Sequence, residues 1–444
     1  MKTSTRKQTT VRHTRAIQRD RITRQSVPPP DKEVEQILTQ LIQPATFAQL
    51  AHYQRLGMRE RLLTLPVMVA FVLSLLWRQM GAVSEAVRVL KREGMLWSGK
   101  VSVSQQAMSE RLRTFPHPLF EAVFLSILPQ MQQRWQQRKR PLPRAIQWGL
   151  QHFEQIQAVD GSTLDALLKK TGLLRGTIGT PLAGRMMVIL DIVSRLPYKV
   201  MFEENAKAHD QSFWEAIIDN LLPRTLLLFD LGFLNFACFD RLCAKAIGFI
   251  TRVKTNTVCQ TVSPLRSTRT LRESLVKVGS GTGACQSLLR LVEVWHNGMW
   301  YRYLTNVTDP QLLPAEVVVA LYWQRWRIED AFLMVKRLLG LAYFYVGSLN
   351  GVQVQVWATW LLYSVLTDLC DEVAHTLELP FACISFEMVY RGLYHFTQAY
   401  HRGEATDPVS YLCAKENQDL GIVKRRRKGQ SAEILELEIP PLPP

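Results

Sequence analysis

The run TLLLF, from Thr225 to Phe229 and followed at once by Asp230, restricts the fold more than any other stretch of the chain. With no polar alternation and a turn residue close behind at Gly232, it reads as a strand buried on both faces. Its surroundings agree. IQAVDGSTLD, beginning at Ile156, reads as a strand ending in a turn, and MMVILDIVS and PYKVMFEEN read as two more strands paired as a hairpin across SRLP. QSFWEAIIDNLL and NFACFDRLCAKA are helical in pattern, and GFITRVKT is a further strand. Three strands, then helix, strand, helix, strand predict a mixed α/β sheet covered by helices. Short alternating stretches between Thr257 and Asp309, among them SLLRLVEVW and MWYRYLTN, predict a β-rich insertion. One helix is expected from Pro314 to Leu341, then a mostly helical segment from Gly351 to Tyr400.

Two aspartates fall where apolar strands stop: Asp160, before Gly161 and Ser162, and Asp230. A carboxylate there is a charge on a rigid support, although Asp before Gly is also a common turn. On the Pro314–Leu341 helix, Tyr322, Arg325, Glu329 and Lys336 stand at offsets 0, 3, 7 and 14. At roughly 100° per residue they fall within about 60° of one another, beside an apolar face of Leu321, Ile328, Phe332, Val335 and Leu339. Asp160, Asp230 and Glu329 together would supply three hard oxygen ligands, suited to Mg²⁺ or Mn²⁺. Two such ions about 3.5–4 Å apart can activate a water or a 3′-hydroxyl for phosphoryl displacement. Arg325 and Lys336 would hold an anionic nucleic-acid backbone, and Tyr322 could donate to a phosphate. A solvated helix face with an Arg325–Glu329 pair, worth about 0.2–0.5 kcal/mol, would explain two of the four residues.

Charge locates the partner. Residues 1–150 hold 24 Lys+Arg and 9 Asp+Glu, whereas the remainder holds 30 and 29, so nearly all of the net +16 is N-terminal. A basic module joined to a balanced one suggests a polyanion binder attached to something else. From Asp31 to about Trp135 the pattern is helical, and SEAVRVLKREGMLWSGKVSVSQQAMSERLRTF reads as helix, turn, helix. Ser104 is its candidate N-cap and Gln105–Arg113 its candidate recognition helix. QQRKRPLPR, from 136 to 144, reads as a linker, the first 30 residues as a disordered basic arm ended by PPP, and KRRRK with PPLPP as a tail. Seven cysteines without a C-x2-C pair argue against a zinc ribbon or a secreted disulfide framework and favour a reducing cytoplasm. The longest apolar run, LPVMVAFVLSLLW from Leu65, is well short of the roughly 20 residues that span a bilayer.

The spacing Y-x2-R-x3-E-x6-K formed by Tyr322, Arg325, Glu329 and Lys336 resembles the YREK signature of insertion-sequence transposases of family four, within the DDE transposases. Asp160 in VDGST and Asp230 in FDLGF resemble that family's first and second acidic residues. FITRVK and YLTN are similar to its flanking strands and AHDQSFW to its post-hairpin segment. The likeness covers about residues 155–345; Leu231 departs from it, where the family often has a basic or polar residue. The resemblance implies a ribonuclease-H-like mixed sheet, and a divalent-metal site (Mg²⁺ or Mn²⁺) made of Asp160, Asp230 and Glu329. It implies cleavage at insertion-sequence ends, hairpin formation and opening, and strand transfer into target DNA. Tyr322, Arg325 and Lys336 would contact DNA, and Tyr301 would be the insertion's aromatic for a flipped base. The expected organisation is a basic arm (1–30), a helical DNA-binding domain (31–145), core (150–256), β-rich insertion (257–309), core with the signature helix (310–345), helical region (346–415) and basic, Pro-rich tail (416–444). Expected partners are double-stranded DNA and a second protomer, with no membrane, in a prokaryotic cytoplasm at the nucleoid. A non-cutting DNA-binding regulator and a nuclease of the same core fold are the alternatives.

Overall fold

The computed structural model describes residues 32–165, 182–296, 298–341, 344–424, 439, 440 and 442; the arm over 1–30 and the tail beyond Lys424, apart from those last three, lie outside them. A nine-stranded mixed sheet runs through the described residues: β1 (Gln155–Asp165), β2 (Leu182–Asp191), β3 (Pro197–Glu203), β4 (Thr225–Phe229), β5 (Gly248–Arg252), β6 (Cys259–Ser267), β7 (Leu271–Val278), β8 (Leu289–His296) and β9 (Met299–Thr305). Their order across the sheet is β3-β2-β1-β4-β5-β9-β8-β7-β6. β1, β2 and β3 are antiparallel neighbours, β1, β4 and β5 run parallel, and β9 joins β5 antiparallel. The stretch read as a β-rich insertion therefore extends the same sheet.

The sheet separates two apolar interiors. Along β4, Leu226 and Leu228 enter the larger core while Leu227 and Phe229 enter the smaller, all fully buried. This is why the strand carries no polar residue. On β1, Ile156 and Ala158 belong to the larger core and Val159 to the smaller. The period of two then places Asp160 and Asp230, two residues beyond Ala158 and Leu228, on the larger core's face.

The helices between Lys32 and Gln137 share that larger core with the helix Leu349–Thr376. Segment 136–144, expected to be a linker, is pinned rather than free. Arg138 Nη1 donates to Asp368 Oδ1 (2.7 Å) and Asp371 Oδ2 (3.1 Å), and its Nη2 to Glu372 Oε2 (3.2 Å). Arg140 Nε stands 2.6 Å from Asp371 Oδ1, an ion pair too poorly aligned to count as a hydrogen bond. These acids lie more than 200 positions away in sequence, so the basic run could not be read as matched. Asp371→Ala would leave two nearly buried guanidinium groups short of a counter-charge and is expected to cost about 3–5 kcal/mol in urea unfolding. A cost below about 1 kcal/mol would show the cluster to be solvated.

Ser104 caps the helix Gln105–Thr114, accepting from the Ala107 N–H at 3.1 Å. Within that candidate recognition helix, Arg111 is engaged with Tyr53 Oη (2.8 Å) and Leu63 O (3.0 Å), whereas Gln105, Gln106 and Arg113 are exposed. All seven cysteines are free thiols. Among the described residues no helix is long and apolar enough to cross a membrane.

Candidate active site

Asp160 is not at the end of its strand, as its Gly-Ser flank suggested, but midway along β1, opposite Val188 of β2. The reason lies in unequal ladders. β1 pairs with β4 only from Gln155 to Ala158, while its pairing with β2 continues to Asp165. Toward β4, Asp160 is thus just past the last rung, held by the hairpin alone. Its Oδ1 accepts the Gly161 N–H at 2.8 Å. Asp230 directly follows β4, and its Oδ1 accepts the Gly232 N–H at 2.8 Å. Thr251 Oγ1 donates to the Asp230 carbonyl at 3.3 Å.

The third segment differs from the single helix expected over Pro314–Leu341. It is built as Ala315–Gln324, Trp326–Leu333 and a π-turn at Met334–Leu338. Around Arg325 the bonds tighten to i→i−3, with Arg325 N–H to Tyr322 O (3.0 Å) and Ile328 N–H to Arg325 O (3.1 Å). The π-turn then loosens them, with Leu339 N–H to Met334 O at 3.0 Å. Single π-turns inside helices recur at functional sites. Lys336, inside this one, donates from Nζ to the Thr163 carbonyl at 2.7 Å and ties the segment to β1.

Arg325 joins two of the three carboxylates. Its Nη1 donates to Asp160 Oδ2 at 3.2 Å and its Nη2 to Glu329 Oε1 at 3.0 Å, and it is only 6% exposed. Tyr322 is likewise buried, edge-on to Tyr303 with ring centroids 5.2 Å apart. The polar stripe is therefore no solvated face. Burial pushes the Asp160 carboxyl up to about 6; Arg325 opposes the rise, while Asp230 and Glu329 add to it. Burial also raises the Tyr322 hydroxyl, with Asp230 contributing.

Among the described residues no three acidic, imidazole or thiol side chains form a ready cage for a metal ion. The donor chemistry nevertheless fits a hard divalent cation. The three groups are carboxylates, and the burial that disfavours a bare charge at Asp160 is what a bound cation would offset.

Tyr301, on β9, lies under the Arg252 guanidinium, 5.2 Å from ring centroid to Cζ. Tyr301 and Tyr303 share a strand face, so an aromatic row leads from the tip of β9 to Tyr322. Sequence reasoning missed Arg252, whose Nε is buried without a partner, because nothing in FITRVK shows that it faces Tyr301. It also missed Trp323 and Trp326, 39% and 52% exposed on either side of Arg325. Their exposure became visible only once the helix was placed.

Asp230 and Glu329 stand 99 positions apart in the sequence, and a known family model spans both of them and Asp160. Residues 151–365 match the transposase DDE domain. That stretch holds Asp160, Asp230 and the whole of the Tyr322–Lys336 segment. The chain is 26% identical over 197 residues to a protein named "Probable transposase for insertion sequence element IS5377" from Geobacillus stearothermophilus, covering 43% of this chain and 50% of that one. The chain is 22% identical over 213 residues to a protein named "Putative transposase y4zB" from Sinorhizobium fredii, covering 45% of this chain and 54% of that one. The chain spans about half the length of the curated relatives it matches. A solved piggyBac transposase synaptic complex with hairpin DNA aligns over 90% of this chain and 85% of its own, at 11% identity and a TM-score of 0.40.

Proposed function

We propose that the protein is a DDE transposase of the YREK-signature insertion-sequence family four, cutting DNA at the ends of its element and joining them to target DNA. The observation that supports this reading is the bridge Arg325 makes between Asp160 and Glu329, with the charge of Asp230 also felt at Asp160. The strand order β3-β2-β1-β4-β5 supports a ribonuclease-H-like core, with β6–β9 as its insertion. Asp160, Asp230 and Glu329 would hold Mg²⁺ or Mn²⁺. When bound, the ion neutralises charge on the reacting phosphate and activates the attacking oxygen. Arg325 keeps Asp160 and Glu329 in register, and Lys336 secures the helix to β1 while its charge favours the phosphate backbone. Tyr322 and Arg252 would face the DNA near the cut, with Tyr301 available to stack a base in a hairpin pathway. The exposed part of the N-terminal helices would bind the ends, and pairing two ends calls for two protomers. A cytoplasmic, nucleoid-associated location suits that work. A regulator that only binds DNA gains nothing from three carboxylates set against phosphates.

The test is Mg²⁺-dependent cleavage of a linear DNA carrying the element's own ends, by wild type and by Glu329→Gln. The variant is expected to lose about a hundredfold or more in rate with end binding retained. Equal cleavage by both would exclude Glu329 from the chemistry, and binding without cleavage by either would favour the regulator.

A further inference from the structure

Beneath the two aspartates, on the reverse face of the sheet, sits an ion pair that the proposed chemistry does not use. Arg185 of β2 donates from Nη2 to Asp210 Oδ1, and both side chains are about four-fifths buried. Arg185 stands opposite Thr163 in the β1–β2 ladder and reaches its Oγ1 at 3.4 Å. The two oxygens of Asp210 lie against different segments, Gly161 of β1 and the turn at Gly232 after β4. A Cβ added to Gly161 would meet Asp210 Oδ1 at 2.5 Å and Arg185 Nη2 at 2.9 Å. A Cβ added to Gly232 would meet Asp210 Oδ2 at 3.2 Å. Gly161 immediately follows Asp160, and Gly232 gives the N–H that fixes Asp230. The neighbouring Gln211 donates from Nε2 to Leu234 O (3.0 Å) and, more weakly, to Gly232 O (3.4 Å). Trp214 Nε1 donates to Phe233 O at 3.1 Å. One short segment, 210–214, thus grips the Asp230 turn while its carboxylate is anchored to the hairpin that carries Asp160.

We propose that Asp210, held by Arg185, is a positioning residue that locks Gly161 of β1 to the turn after Asp230 and so sets the separation of the Asp160 and Asp230 carboxylates. The inference rests on the reading of Asp160 and Asp230 as metal ligands. Facing the opposite side of the sheet, Asp210 touches neither DNA nor metal in this role. A side chain at Gly161 would have to displace the Asp210 carboxylate, and one at Gly232 would crowd both Asp230 Oδ1 (3.1 Å) and Asp210 Oδ2 (3.2 Å). β1 and β4 are bonded only up to Ala158 and Leu228, so beyond that rung the sheet itself does not fix Asp160 relative to Asp230. The Arg185–Asp210 bridge supplies the missing restraint.

The test compares full-length wild type with Asp210→Asn, Arg185→Gln and the double variant. Mn²⁺ binding is read without DNA by electron paramagnetic resonance, alongside thermal melting, DNA-end binding and Mg²⁺-dependent cleavage. Removing a group that orients metal ligands costs about 10–100-fold in metal affinity or activity. Each single variant is expected to weaken Mn²⁺ binding by about tenfold with end binding unchanged, and the double variant to be no worse than either single one. Arg185→Lys, which keeps charge without the fork, is expected to recover part of the affinity. If Asp210→Asn fails to fold, Arg185→Gln carries the same readouts. Folded variants that bind Mn²⁺ as wild type does, beside a wild type that cleaves with metal, overturn the bridge and leave the functional reading standing. A wild type that binds no Mn²⁺ overturns both.

Discussion

Asp160→Asn is expected to abolish DNA cleavage and, at the same time, to make the metal-free protein more stable at neutral pH. A metal site supplies several kcal/mol of transition-state stabilisation, so loss of one ligand should lower the rate by about a thousandfold, equivalent to about 4 kcal/mol. The gain in stability comes from the same carboxylate. Burial carries it from the ordinary 3.8 to about 6, a change worth about 3 kcal/mol. With a folded-state pKa above the unfolded one, the folded protein holds this proton more tightly. The resulting stabilisation is full below about pH 4 and is lost as pH rises through about 6. The asparagine variant lacks that dependence. Its stability should exceed wild type's at pH 8 by up to about 3 kcal/mol, and the two curves should converge toward pH 4. A variant less stable than wild type at every pH would show that the Asp160–Arg325 pair outweighs the cost of burial.

Arg325→Ala carries the second large effect, in the opposite direction. The guanidinium is buried and donates to both Asp160 and Glu329. Removing one partner of a buried pair costs about 3–5 kcal/mol. Glu329 is 40% exposed and its share is screened, so most of the loss should come from Asp160, for a total of about 3 kcal/mol. Cleavage should fall by about a hundredfold, as when a positioned donor is lost from an active site. Urea unfolding and end cleavage read the two effects separately. Arg325→Lys should retain part of the stability and little of the rate, because one ammonium cannot span both carboxylates in the same geometry. Stability within about 1 kcal/mol of wild type for Arg325→Ala would mean that water takes the guanidinium's place.

The extent to which the site could be read from residues follows from which contacts are local. TLLLF announced a strand covered on both sides, and its alternate entry into two cores is the physical content of that pattern. The offsets of Tyr322, Arg325, Glu329 and Lys336 predicted one polar stripe, and two of the four, Arg325 and Lys336, bond to β1. Helical periodicity could not foresee the π-turn, which depends on how the segment seats against neighbours. Nor could it distinguish an Arg325–Glu329 pair on a wet surface from one closed over Asp160. The Asp210–Arg185 bridge was hidden for a related reason. Asp210 precedes a helix and Arg185 lies within β2, and only the folded sheet brings the two together over Gly161.

The pinned segment between the N-terminal helices and β1 has a metric consequence. A swinging tether would let bound DNA reach the carboxylates at many offsets. Here Arg138 and Arg140 are clamped to the helix Leu349–Thr376, and the helices before them share its core. DNA gripped by those helices would meet Asp160 and Asp230 at one distance only. The fold would then act as a ruler, and the number of base pairs between the sequence recognised and the bond cut would be written into the protein's packing.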